Sequence, residues 1–107
     1  MAAQAVDVGV TSKQVRVELA DGRALAVPTA WYPRLVHATA RERGHWRLIA
    51  RGTGIHWPDL DEDISIEGLL AGRHSGELAQ SLKRWLNSRT AARARRRVKK
   101  IKTLGGR

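Results

Sequence analysis

The sequence predicts an α+β domain, and three observations carry that prediction. Apolar residues alternate at Val6, Val8 and Val10 and again at Val15, Val17 and Leu19; this two-residue period marks strands with one buried face. Asp21-Gly22 stands directly after the second run, where a hairpin turn is expected. Elsewhere the spacing changes to three and four, at Ile66, Leu69 and Leu70 and at Leu78, Leu82, Trp85 and Leu86, the mark of helices with one apolar stripe. The expected order is βββ–α–ββ–α, a mostly antiparallel sheet with helices packed on it. Residues 1–75 make the domain, and residues 76–107 a basic helical arm.

Residues 5–10 are the first strand, and Thr11-Ser12 turns the chain into the second, whose Arg16 and Glu18 point away from the core. Asp21 and Gly22 can both take positive φ, which suits a tight two-residue turn. Leu25 and Val27 form a third strand that stops at Pro28, since proline cannot donate to a ladder. Residues 29–44 are expected to be one helix, with Pro33 in its first turn, Leu35, Val36, Ala38 and Ala40 on the apolar side and Gly44 as C-cap. Trp46, Leu48 and Ala50 alternate as a fourth strand, and Gly52-Thr53-Gly54 turns into a fifth. The chain is organised around Gly54 to Ser65: Ile55 and Trp57 share one face of that fifth strand, Pro58 ends it, an acidic run crosses over, and Ser65 caps the helix over 66–72, with Gly72 at its far end. The last helix is expected to begin near Gly76.

The net charge of +10 is unevenly placed. Residues 1–80 hold nine basic side chains and all ten acids, a balance of −1, whereas residues 81–107 hold eleven basic side chains and no acid. Such a partition describes a near-neutral body with a polycationic arm. Cysteine is absent, which excludes a disulfide framework and a thiolate metal site. No run approaches the ~20 apolar residues of a membrane span, and MAAQAVDVGV lacks the features of a signal peptide. A cytoplasmic location is the expectation.

The segments AVPTAWYPRLVHAT (26–39), GHWRLIARGTGIHWPDLDEDIS (44–65) and EGLLAG (67–72) resemble the bacterial domain-of-unknown-function family 2442, over roughly residues 6–72. The resemblance implies a small α+β domain with no established catalytic activity. Some family members carry an appended DNA-binding helix-turn-helix, and some are encoded beside small toxin-like proteins, which implies an antitoxin or partner-binding role. This chain carries a single basic helical arm in place of the helix-turn-helix.

Asp59, Asp61 and Asp63 open like a calcium loop, but Ile64 stands where that loop needs glycine and Leu70 where it needs glutamate. They read better as a turn whose carboxylates satisfy backbone donors, or, with Glu62, as an acidic surface facing a partner. His37, His45, His56 and His74 do not pair at helical ligand spacing. No nucleophile–base constellation is present, so a non-enzyme without metal or cofactor is expected. Trp31, Trp46 and Trp57 are expected core residues, since phenylalanine is absent; an exposed Trp31-Tyr32 pair would instead anchor a partner. Trp85 either docks the arm on the body or meets a partner.

The candidate nucleic-acid contacts are Lys83, Arg84, Arg89, Arg93, Arg95, Arg96, Arg97, Lys99, Lys100 and Lys102. Guanidinium forks match phosphate, and displaced counterions drive the association. No aromatic follows Trp85, so contacts are expected to be with phosphates rather than bases. The alternatives are an acidic protein surface or a solvated cationic arm; a membrane is less suited, because the stripe beyond residue 90 is mostly alanine. The competing functional reading is an antitoxin-like module that covers a small protein partner through its sheet or acidic turn, without nucleic acid. A homodimer is a further arrangement open to the chain.

Overall fold

The computed structural model describes residues 2–105, with side chains described over 2–95. The chain divides into two units, Met1–Gly76 and Glu77–Arg107. The first is an α+β body built on two three-stranded antiparallel sheets. Strands β1 (Ala5–Val10), β2 (Gln14–Leu19) and β3 (Ala24–Pro28) form one sheet in sequence order. Alternation sets its faces: Val15, Val17 and Leu19 are buried, while Arg16 and Glu18 are exposed. The β2–β3 turn is longer than the two-residue form expected. The Leu19 N–H reaches Arg23 O across three loop residues, and Gly22 alone of the turn pair has positive φ, at 92°. The Asp21 carboxylate accepts the Arg23 backbone N–H at 3.0 Å and its Nε–H at 2.7 Å; the backbone bond is the main cause that lowers the carboxyl pKa.

The single helix expected over 29–44 is instead three short turns. A 3-10 turn covers Thr29–Trp31, α1 covers Pro33–Val36 and α2 covers Ala40–Gly44. Tyr32 breaks the first junction with φ −127° and ψ 87°, and Pro33 can only open a new helix, having no N–H to continue the old one. Thr39 breaks the second: it is extended and forms a capping box with Glu42, each side chain bonded to the other's backbone N–H. Gly44 is the last helical residue of α2 rather than a left-handed cap.

The second sheet contains β4 (Arg47–Ile49), β5 (Gly54–Trp57) and β6 (Glu62–Ser65). Ala50, expected in a strand, starts the β4–β5 turn, and Ala50, Arg51 and Gly52 all have positive φ. Glycine is required at position 52, where φ is 82° and a Cβ would lie 2.9 Å from the Ala5 carbonyl. Strand β6 replaces the latter half of the expected acidic turn, pairing Ile64 with Ile55 and Glu62 with Trp57. Ser65 then caps α3 (Ile66–Leu70) by accepting the Gly68 N–H. Gly72, at φ 72°, ends it in a Schellman motif: Arg73 N–H bonds Gly68 O and Gly72 N–H bonds Leu69 O.

Val15, Val17, Leu35, Ile55, Trp57, Leu60 and Ile66 are fully buried and form the centre of the body. Trp57 donates its indole N–H to Arg43 O at 3.0 Å, which satisfies the one polar atom its burial would otherwise orphan. Trp31 and Trp46, expected beside it in the core, are only half-buried. The second unit is a 27-residue helix, α4 (Ala79–Gly105), about 40 Å long at 1.5 Å per residue. It begins three residues after the expected start, and Leu78, expected on its apolar stripe, precedes the first helical residue and is exposed.

Candidate functional site

The cationic candidates all fall within α4. Lys83, Arg84, Arg93 and Arg95 are exposed. Arg89 is half-buried, its guanidinium carbon 4.6 Å from the centre of the Trp85 ring, a cation–π contact at the i, i+4 spacing of one helix face. Arg96, Arg97, Lys99, Lys100 and Lys102 lie within the helical span, and their side chains fall outside the described residues. Arg84 and Arg95 are eleven residues apart, three turns, and therefore on one side; Arg89 and Arg93, four apart, share another. The helix thus presents positive charge on more than one side. No acid lies beyond Glu77, so no i, i+4 ion pair can neutralise these cations along α4. Like charges at that spacing, such as Arg89 and Arg93, repel by about 0.2–0.5 kcal/mol per pair.

The half-buried residues of α4 are Ser81, Leu82, Trp85, Leu86, Arg89 and Ala92, and none of its described side chains is fully buried. Trp85 therefore stands on a face that is apolar through Leu86 and becomes cationic at Arg89.

In the body the four acidic candidates separate. Asp59 is exposed and its Oδ2 lies 2.7 Å from His45 Nδ1. Asp61 is exposed at a left-handed φ of 50°. Asp63 stands opposite His56 across β5–β6, their Oδ1 and Nδ1 atoms 2.5 Å apart, with Arg47 in the same cross-strand row. Glu62 belongs to the other face of the sheet, opposite Trp57, and is half-buried. Two of the four acids, Asp59 and Asp63, are therefore histidine-paired, and the four do not converge on one cage. Among the described residues no group of three histidine or carboxylate side chains could hold a metal.

Tyr32 is corrected as a partner anchor. Its side chain is only 4% exposed and its hydroxyl donates to Arg73 O at 3.1 Å. Burial, and then the charge of Glu62, raise its pKa above 10.0. Trp31 is half-buried and stacks on His74, ring centres 4.1 Å apart. A polar cleft of about 240 Å³ opens beside it, lined by Tyr32, Glu62, Asp63, Ser65, Arg73 and His74 among others. Sequence reasoning missed His45 and His74, whose partners lie 14 and 43 positions away. It also missed Arg34 and Arg43, which donate to the carbonyls of Leu60 and of Leu35 and Val36. No local pattern marks any of these, because each partner is brought close only by the fold.

Residues 5–75 match the family described as "Protein of unknown function (DUF2442)". Two solved structures are similar to the chain. A protein of unknown function from Rhodospirillum rubrum is 28% identical, with a TM-score of 0.62, covering 72% of this chain and 95% of its own. An uncharacterised protein from Chromobacterium violaceum is 25% identical, with a TM-score of 0.59, covering 68% of this chain and 69% of its own. Among curated proteins the chain has no match. No helix among the described residues is long and apolar enough to cross a membrane.

Proposed function

The chain belongs to the DUF2442 family, and from that premise we propose that it is a non-catalytic binding module whose helix α4 holds the phosphate backbone of a nucleic acid. The observation that supports this is the segregation of eleven basic residues and no acid into residues 81–107, nearly all of them on one helix. Counterion release supplies the driving force, and sequence choice is small because the contacts are with phosphates. Polyanion binding also relieves the mutual repulsion of Arg89, Arg93 and their neighbours, so it favours the helical form of the segment. A regulatory or antitoxin-like role fits a module that grips nucleic acid and leaves its body free for other contacts.

The test is a fluorescence titration against duplex DNA and RNA over a range of salt. With roughly six phosphates contacted, log K falls against log salt with a slope near −5. Truncation after Asn87 abolishes binding; unchanged affinity in the truncated chain overturns the proposal. The second reading, capture of a small basic protein, rests on the exposed carboxylates of Asp59, Asp61 and Asp63. It is favoured if a small protein co-purifies after nuclease treatment and is lost when Asp61 and Asp63 become asparagine.

A further inference from the structure

We propose that β3 is an open pairing edge through which two copies of this chain associate, joining their first sheets into one six-stranded sheet. The proposal concerns the body alone and is independent of the nucleic-acid reading.

The two sheets have four edge strands, β1, β3, β4 and β6. Folded proteins guard such edges with charges, bulges or brevity, because unpaired N–H and C=O groups recruit other strands. Three edges here are guarded. Strand β1 carries Asp7 and an irregular register between Ala5 and Asp7. Strand β4 has three residues, one of them Arg47. Strand β6 carries Glu62 and Asp63. Strand β3 reads Ala-Leu-Ala-Val-Pro, with no charge and an even register against β2.

The ladder fixes which groups face outward. Thr29 N–H bonds Lys13 O and Leu19 N–H bonds Arg23 O, and antiparallel pairs alternate along a strand. Given the register, Leu25 and Val27 direct their backbone groups at Val17 and Val15 of β2. Ala24 and Ala26 therefore direct theirs away from the sheet. Both are exposed, and their backbone groups have no hydrogen-bond partner among the described residues. Pro28, next in that outward series, has no N–H to offer, so the usable edge is centred on Leu25.

A two-fold axis beside Leu25 satisfies all of these groups. Ala24 then stands opposite the partner's Ala26, and Ala26 opposite the partner's Ala24, each pair exchanging two N–H···O bonds. Leu25, half-buried on the core side of the sheet, meets the partner's Leu25 as the closely spaced pair between them. On the outer face the cross-strand row runs from Arg16 over Ala26 and the partner's Ala24 to the partner's Glu18. The reverse row carries Glu18 to the partner's Arg16. Only alanine methyl groups lie between these opposite charges, so the long side chains can lean toward one another. The charge pattern fits a second copy in antiparallel register, which is why the occupant assigned to this edge is the chain itself rather than an unrelated strand.

The test is sedimentation equilibrium of the full chain after nuclease treatment, over roughly ten to several hundred micromolar, the range suited to a small interface. A monomer–dimer equilibrium is expected. Ala26→Pro, and separately Ala24→Lys with Ala26→Lys, weaken it at least tenfold while the circular dichroism stays unchanged. Arg16→Glu alone and Glu18→Arg alone each weaken association, and the two together restore it. In the unaltered chain the amide hydrogens of Ala24 and Ala26 exchange more slowly as concentration rises, a readout that does not depend on any variant folding. A chain that stays monomeric throughout, or a dimer indifferent to the edge and charge variants, overturns the proposal.

Discussion

Trp57 and Trp85 are the same side chain placed in two different physical settings. Trp57 is fully buried in the body, with its indole N–H bonded to Arg43 O. Trp85 is half-buried on α4, with the Arg89 guanidinium over its ring. Around the first lie buried aliphatic side chains and balanced charge; around the second lies a helix with no acid and no fully buried described side chain. The body is held by burial, which salt screens little. The helix contributes charge, whose effect on a polyanion falls steeply with salt. The difference teaches that buried apolar area and net positive charge lie in separate stretches of one short chain; under the proposed function, stability and binding divide with them.

Variants can break that assignment or sharpen it. Trp57→Ala has the largest expected effect: it empties the centre of the core and orphans Arg43 O, costing about 3–5 kcal/mol, enough to unfold a small domain, as read by urea denaturation. Replacing Arg89, Arg93 and Arg95 together with alanine should leave the denaturation of the body unchanged. It should reduce the slope of log K against log salt by about 2–3, at 0.9 per phosphate contact, measured by the same titration as the parent. A fall in stability there, with no change in slope, would dissolve the contrast between the two regions.

Tyr32 gives the smallest effect and a pH signature. Its pKa is raised in the folded chain by burial and by Glu62, while in the unfolded chain it titrates near 10. Stability is therefore intact below about pH 10 and falls as pH rises from there toward the folded value, because only the unfolded chain releases its proton readily. Tyr32→Phe should cost about 1 kcal/mol at neutral pH, from the lost bond to Arg73 O, and should remove this part of the alkaline loss. Urea melts across the alkaline range measure both.

Much of the body was legible because alternation is a strong signal. Strands β1, β2 and β3 fall where Val8, Val15, Val17 and Val27 demand a buried face, although the irregular register between Ala5 and Asp7 buries Ala5 and leaves Val6, expected on that face, exposed; Ser65 and Gly72 cap α3 as their chemistry requires. Strand β6 was hidden because three of its four residues are Glu62, Asp63 and Ser65, poor strand formers whose pairing comes from β5. The break in the 29–44 segment was half-visible: Thr39 and Glu42 have capping-box spacing, but nothing local announces that Tyr32 is pulled into the interior. The charge of α4 was fully legible. The histidine–acid pairs were not, since His45 and Asp59 meet only once the hairpin has formed.

The segment just after α3 is tied back to the body. Gly72 reverses the backbone, the Tyr32 hydroxyl fastens Arg73, His74 lies flat on Trp31, and Ser75 N–H closes onto Trp31 O at 2.9 Å. These fastenings end one residue before the boundary at Gly76. The last turn of the body is thus fastened to its own interior by side chain and backbone alike, so the fold of the first unit is closed by residues of that unit.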